Sequence, residues 1–307
     1  MRAGLRGGRD AAAGAIATLI VGVPSLEPVW AWLGPACLRV TAVDSLYRSV
    51  VDRVVASHLR AGRSTCRTLC FPHGRLRLDV ADFTTKWLYF GGRMYEPATT
   101  RFIASALSPG DTFLDVGAHH GYYTQLAASV VGEDGRVIAF EPMKHAREAL
   151  ERLSEENDFS ERVQVVAAAI GAAQGRATFF VYPGHDAFSS LVPPTEIPAP
   201  FIGTPAPVTV PVDTLDRWTE RLHPGQIHGV KIDVEKAELG VLDGMREMLA
   251  KRPPAWIVCE TEWEGPAHRR LVAAGYRASV LDWWGPGHGN ILFRRPGRRD
   301  PAEPVEA

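Results

Sequence analysis

The sequence predicts an α/β protein: a mostly parallel sheet with helices on both faces, plus a helical N-terminal extension. Three observations carry this. From Asp111 onward, short apolar runs alternate with amphipathic segments, the rhythm of strand–helix–strand units. Runs such as "TFLDV", "RVIAF" and "AWIVCE" are almost continuously apolar, as strands covered on both faces are. Residues 1–65 have few β-branched runs and many Ala, Leu and Arg, a helical composition.

Taken in order, "VDSLYRSVVDRVVASHL" places Leu46, Val50, Val51, Val54 and Val55 at helical spacing, with Arg48, Asp52 and Arg53 between them. Beyond residue 65 the character changes. "RLRLDV" alternates as a half-buried strand does, and "WLYF" running into "GG" predicts a strand entering a turn. "YEPATTRFIASAL" returns to a helix, with Pro97 in its first turn. Then come a strand at "TFLDV", a helix at "GYYTQLAASVV", a turn at "GEDG", a strand at "RVIAFE" and a charged amphipathic helix at "KHAREALERLSEEN". "VQVVAAAI" and "ATFFVY" read as a third and a fourth strand. Pro and Gly crowd 183–211 and predict a long loop. Helix "DTLDRWTERL", strand "GVKIDV", helix "AELGVLDGMREMLA", strand "AWIVCE" and helix "AHRRLVAAGY" follow, and the chain closes on the strand-like "RASVLDW" and "NILFRR".

The 307 residues carry a formal net charge of −1 and 46% hydrophobic residues, an ordinary globular balance that points to no nucleic-acid partner. Cys66 and Cys70 have no zinc-like Cys or His partners, and Cys259 lies in an apolar run. Four cysteines without a pairing pattern imply a reduced, cytoplasmic setting. Arg2, Arg6 and Arg9 precede the apolar "AAAGAIATLIVGV", which Pro24 closes too early for a confident bilayer span. A leader helix, a weak membrane-surface association through residues 11–39 and a cleaved or spanning segment all remain open for it.

The strand "TFLDV" runs into "GAHHG", with Gly117 and Gly121 bracketing the loop. Glycines let backbone approach a ligand, and the amides opening the next helix can hold an anion. The second strand ends at Glu141, 20 residues beyond Gly121, where a carboxylate can accept hydrogen bonds from both ribose hydroxyls of an adenosine-bearing ligand. A dinucleotide site wants G-x-G-x-x-G so that a pyrophosphate can pack on bare backbone. Here the pattern is G-x-x-x-G with His119 and His120 inside, and Asp115 stands just before it. Asp115 would repel a pyrophosphate but attract a sulfonium and an α-ammonium. The loop therefore favours S-adenosyl-L-methionine over a nicotinamide dinucleotide, with His119 placed toward the ligand or its carboxylate.

"FLDVGAHHGYYT", "GRVIAFEP", "SSL", "VPVDTLDRW" and "VKIDVEKAELGVLDGM", in that order, resemble the FkbM-type S-adenosylmethionine-dependent methyltransferases over about residues 90–262. The resemblance implies a class I methyltransferase, Rossmann-like fold and O-methylation of a hydroxyl on a sugar, natural product or lipid-linked glycan. It carries the donor-binding role onto Asp115, Gly117, Gly121, Thr124 and Glu141; Pro142, which ends the block "GRVIAFEP", is counted with them. Where that family usually reads Asp-x-Glu-Gly, this chain has Asp233-Val234-Glu235-Lys236, so a lysine adjoins the expected acceptor pocket. The expected organisation is a helical extension over 1–65, lead-in strands and helix over 66–105, the methyltransferase domain over 106–297 and a disordered tail over 298–307.

On the chemical side, Lys231, Asp233 and Glu235 alternate in "KIDVEKAEL", and an extended segment would put all three on one face. They are the expected catalytic residues, with Asp233 nearest the chemistry. Asp233 and Glu235 could also cap the next helix or bind a divalent metal that holds a diol; no metal ligand is assigned. His185 in the long loop is a further candidate base, Glu260 a pocket-rim acid, and Trp263, Trp283 and Trp284 candidate walls of an acceptor site, whereas His288 and Asn290 receive no role. Two other classes stay open: a non-catalytic cofactor-binding or interaction module, and a nicotinamide-dependent oxidoreductase.

Overall fold

The computed structural model describes residues 2–37, 39–71, 74–91, 95–193, 204–221 and 227–296. The tail over 298–307 and part of the predicted loop, 194–203, lie outside the described residues. Two compact units emerge, one of residues 1–69 and 77–95, the other of residues 70–76 and 96–307.

The first unit is helical. Helices α1 (Arg2–Gly22), α2 (Leu26–Cys37) and α3 (Thr41–Arg60) follow one another. Ala13, Ala17 and Ile20 recur at helical spacing along α1 and pack on Val50 and Val54 of α3. Tyr47 stacks on Trp30 at 5.2 Å and donates its hydroxyl to the Phe90 carbonyl at 2.6 Å. Strands β1 (Cys66–Phe71) and β2 (Gly74–Asp79) pair with each other and lead to α4 (Phe83–Gly91). That helix corrects the strand expected at "WLYF". Its start is fixed by Asp82, whose Oδ1 accepts the amides of Thr84 and Thr85 at 2.9 and 3.1 Å, an N-terminal cap that overrides the β-propensity of Trp87, Tyr89 and Phe90.

In the second unit, α5 (Pro97–Ala106) precedes β3 (Thr112–Val116), α6 (Tyr122–Val131), β4 (Arg136–Phe140), α7 (Lys144–Glu156) and β5 (Val163–Val166). The expected strand "VQVVAAAI" is divided: β5 stays beside β4, and β6 (Ala169–Ile170) leaves to join a second sheet with β7 (Gly175–Val181) and β8 (Ala206–Asp213), in the order β6-β8-β7. Thus "ATFFVY" is a strand but not of the main sheet. Residues 206–211 form part of β8 rather than loop. Among the described residues, only Ala169 and Ile170 pair its far side, at Val212 and Asp213, so the prolines at 207 and 211 lie where β8 has one described partner and a missing N–H is tolerated.

The chain then adds α8 (Leu215–Arg221), β9 (Ile227–Ile232), α9 (Glu238–Asp243), α10 (Arg246–Lys251), β10 (Trp256–Glu262), α11 (Pro266–Ala273), β11 (Arg277–Gly285) and β12 (His288–Arg294). The single helix expected at 237–250 breaks in two because α10 has its own cap: Asp216 of α8 accepts the amides of Glu247 and Met248 at 3.0 and 2.7 Å. The main sheet has seven strands in the order β11-β12-β10-β9-β3-β4-β5, and β12 alone runs against the rest. Leu114, Val116, Ile138, Phe140, Val230, Ile232, Ile257 and Cys259 are almost fully buried and form its core.

Candidate active site

Strand register builds the site. Phe140, Val116, Ile232 and Cys259 stand side by side on β4, β3, β9 and β10, the last shared row of the parallel sheet. One residue further on, the row reads Glu141, Gly117, Asp233, Glu260. Antiparallel pairing extends it, since Glu260 faces Asn290 on β12 and Asn290 faces Asp282 on β11. Three acids therefore line the carboxyl edge of a parallel sheet, where open α/β sheets bind ligands.

On the β3–β4 side, Glu141 is buried and accepts the amides of His119 and Met143 at 2.9 and 2.8 Å, one on each carboxylate oxygen. Burial pushes its pKa up to about 7, the two amide bonds acting against that rise. Each oxygen keeps a further lone pair for a ligand hydroxyl. Asp115, one row back, is buried and accepts the Thr124 hydroxyl at 2.6 Å; burial raises its pKa to about 6. His119 has φ +48, which turns its amide onto Glu141, and its Nε2 is buried without a hydrogen-bond partner. Burial holds its pKa well below 6.5, so the ring is neutral. The Pro142 carbonyl accepts Arg147 of α7, which fixes the strand exit. The structure pairs Thr124 with Asp115 and His119 with Glu141, at the ends of adjacent strands β3 and β4.

The two glycines have structural reasons that the sequence concealed. A Cβ on Gly117 would lie 1.8 Å from the Asp233 carbonyl, and its φ of +85 is one that side chains disfavour. One on Gly121, at φ +87, would meet Leu150 of α7 at 2.6 Å. Gly117 lets β9 leave the sheet beside β3; Gly121 lets α7 close over the loop. Gly117→Ala should therefore destabilise the fold by about 2–4 kcal/mol, the sum of a left-handed backbone penalty and overpacking. Urea unfolding measures it, and a loss below about 1 kcal/mol would contradict the close approach.

On the β9–β10 side, Lys231 is fully buried and donates to Asp233 at 2.9 Å, with its ammonium 5.5 Å from the Tyr123 ring. Burial alone would lower its pKa, but Asp233, Glu96 and Glu260 outweigh it and the value rises. Lys231 also lies in register with Asp115, so one ammonium serves acids on both sides. Asp233 and Glu260 share a hydrogen bond. Burial and the neighbouring carboxylate raise the Asp233 pKa. For Glu260 burial is outweighed by His288, whose Nε2 lies 3.1 Å from Oε1, and by Lys231, so its pKa falls.

Glu235 does not share a strand face with these two. β9 ends at Ile232, and Glu235 and Lys236 have φ of +51 and +75 in a turn, so the alternation expected through Glu235 stops two residues after Lys231. Glu235 comes to the cluster from the turn; burial, followed by the charges of Asp233 and Glu260, raises its pKa well above the usual carboxylate value. Lys236 occupies backbone that suits glycine, at a cost of about 1–2 kcal/mol. Its side chain is exposed and reaches Glu262 at 3.4 Å. Trp263, Trp283 and Trp284 are exposed, and His185 precedes a 3-10 turn over Asp186–Phe188.

Sequence reasoning missed Glu96, His288 and Asn290. Glu96 is buried at the start of α5, where it accepts the Tyr123 hydroxyl and, at 2.6 Å, the Asn290 amide. Burial raises its pKa to about 7 against the pull of Lys231. Asp282 accepts the amides of Ala98 and Thr99 at 3.2 and 2.7 Å, pinning the start of α5 to the same row. Carboxylate oxygens of Glu96, Asp233 and Glu260 lie within 4.8 Å of one another. The ammonium of Lys231 faces them.

Six of seven strands parallel, the reversed strand next to the edge, and acids past the first two strands of the α/β unit define a class I S-adenosylmethionine-dependent methyltransferase. Residues 115–278 match the Methyltransferase FkbM domain, more than half of the chain, and the chain belongs to that family. Solved structures it resembles include a methyltransferase FkbM from Methylobacillus flagellatus KT (15% identity, TM-score 0.38), of which the match spans 90% of this chain and 60% of the other. A SAM-dependent O-methyltransferase from Thermotoga maritima shares 13% identity, with TM-score 0.40 and coverage of 79% and 82%. Fibrillarin from Aeropyrum pernix, in complex with S-adenosyl-L-methionine, shares 12%, with TM-score 0.37 and coverage of 74% and 82%. No curated protein matches the chain. No helix among the described residues is long and apolar enough to cross a membrane.

Proposed function

We propose that this methyltransferase acts on a hydroxyl group of a sugar, natural product or lipid-linked glycan in the cytoplasm, with the donor lying across the ends of β3 and β4. The observation that supports the reading is the row Glu141, Gly117, Asp233, Glu260: a buried carboxylate with spare acceptor capacity at one end and two adjacent carboxylates at the other. When bound, the donor supplies a methyl group on a positively charged sulfur that departs as a neutral thioether. The residues present fit it, because acids flank the loop, Glu141 keeps acceptor capacity, and the buried His119 Nε2 has a free hydrogen-bonding position beside them.

The chain's own groups do the rest. Glu141 orients the ribose through its remaining lone pairs. Asp115 opposes the cationic end of the ligand. The Asp233–Glu260 pair takes the hydroxyl proton as oxygen bonds to carbon; Glu260, whose pKa His288 and Lys231 lower, is the member held toward the ionised form. His288, part exposed, passes the proton to solvent. Lys231 keeps the acids in place without touching the reacting atoms. Glu235, on the turn, adds negative charge to the acceptor side.

Calorimetry with S-adenosylmethionine and S-adenosylhomocysteine tests the donor side. Glu141→Ala and Asp115→Ala should each weaken binding by more than about tenfold, the worth of a hydrogen bond to a charged group. Full affinity in both would remove these acids from the site.

A further inference from the structure

We propose that the corner between α1 and α2 docks the chain on an anionic lipid surface. The inference is independent of the acceptor. From residue 11 to residue 37, no exposed residue carries a charge. The one acid in that stretch, Glu27, is 5% exposed and ion-paired with Arg67, with His58 at 3.0 Å. Burying and pairing the acid leaves the outer face bare of negative charge. On that face Trp32 is 65% exposed, Leu19 58%, Val29 52% and Val23 41%. Val29 and Trp32 are one helical turn apart on α2 and project from a single side; Leu19 near the end of α1 and Val23, one residue past it, are held together by the Val23 amide donating to the Leu19 carbonyl at 2.9 Å. The opposite stripe of α1 is the one that packs on α3.

Charge decides the occupant. The first unit holds 12 Lys and Arg against 6 Asp and Glu, a net +6, whereas the second holds 22 against 29, a net −7. A chain of net −1 has thus collected its positive charge on the unit that bears the apolar corner. Arg63 lies at that corner, its guanidinium 3.5 Å from the Val21 carbonyl, and Arg39 is exposed just past α2. Exposed aliphatic side chains and a tryptophan, edged by arginines with no exposed acid among them, match the acyl–headgroup boundary of a membrane carrying negative lipids. The described helices are too short or too polar to span, so the contact is peripheral.

The full chain should co-sediment with phosphatidylcholine vesicles containing phosphatidylserine and much less with phosphatidylcholine alone, and added salt should weaken the binding. Trp32→Ser with Val29→Ser should lower the partition coefficient about tenfold or more while leaving donor affinity unchanged. Arg39→Glu should selectively weaken binding to the anionic vesicles. Absence of binding to either vesicle would overturn the proposal. So would equal binding by wild type and both variants, or a dimer that Trp32→Ser dissociates with vesicle binding unaffected, which would assign the corner to a second copy of this chain.

Discussion

Lys231→Met is expected to lower the unfolding free energy by about 3–5 kcal/mol near pH 8, the cost of breaking a buried ion pair by removing one partner. The side chain is wholly buried, and its ammonium is the positive charge shared by Asp233, Glu96 and Glu260. Methionine fills much of the volume, so the loss is electrostatic. Its pH dependence separates this account from simple mispacking. The raised pKa of Lys231 means that its contribution is complete below its unfolded value and fades only above it, so the lysine itself gives no slope between pH 5 and 8. The orphaned carboxylates do. Glu96, already raised to about 7, and Asp233, also raised, would take up protons as pH falls and shed the uncompensated charge. The gap between variant and wild type should therefore narrow from pH 8 to pH 5. Urea titrations at both pH values check it; a loss below about 1 kcal/mol, or one that does not change with pH, would contradict the network.

Asp233→Asn is expected to reduce turnover by about 10²–10⁴-fold, the usual worth of a positioned acid or base, with donor affinity nearly unchanged. The substitution preserves shape but replaces a carboxylate beside Glu260 by an amide that cannot take up a proton. Glu260→Gln should behave alike, because the two titrate as one unit. His288 touches only the Glu260 side, so His288→Gln should shift the acidic limb of the pH–rate profile more than it lowers the maximum: its hydrogen bond is one of the causes that keep Glu260 ionised. Unchanged turnover in Asp233→Asn would remove the pair from catalysis.

The parts legible in sequence are those whose information is local. Strand–helix alternation from Asp111 gave the parallel sheet, and strand ends marked Asp115, Glu141 and Asp233, because a buried strand that stops on a carboxylate is readable from a few residues. The illegible parts depend on partners far along the chain. Glu96 and Asn290 are 194 residues apart and meet only because α5 is pinned to β11 by Asp282. Gly117, expected to line the donor loop, also has a close neighbour that the sequence does not reveal, the Asp233 carbonyl just past the end of β9. Lys236, expected beside the acceptor pocket, occupies left-handed backbone and reaches Glu262, a partner 26 residues on that the sequence does not reveal. At "WLYF" the helix start is local, since Asp82 two and three residues before Thr84 and Thr85 caps their amides, and it overrides the aromatic β-propensity. The prolines of β8 concealed a strand, because their tolerance depends on how little of its far side is paired.

The most direct test of the donor assignment is the crystal structure of the complex with S-adenosylhomocysteine. The account requires the ribose hydroxyls within hydrogen-bond reach of Glu141, the amino-acid end toward Asp115 and the His119 loop, and the sulfur facing Asp233 and Glu260. A nucleoside bound away from the ends of β3 and β4, with Glu141 still holding only the amides of His119 and Met143, would contradict it.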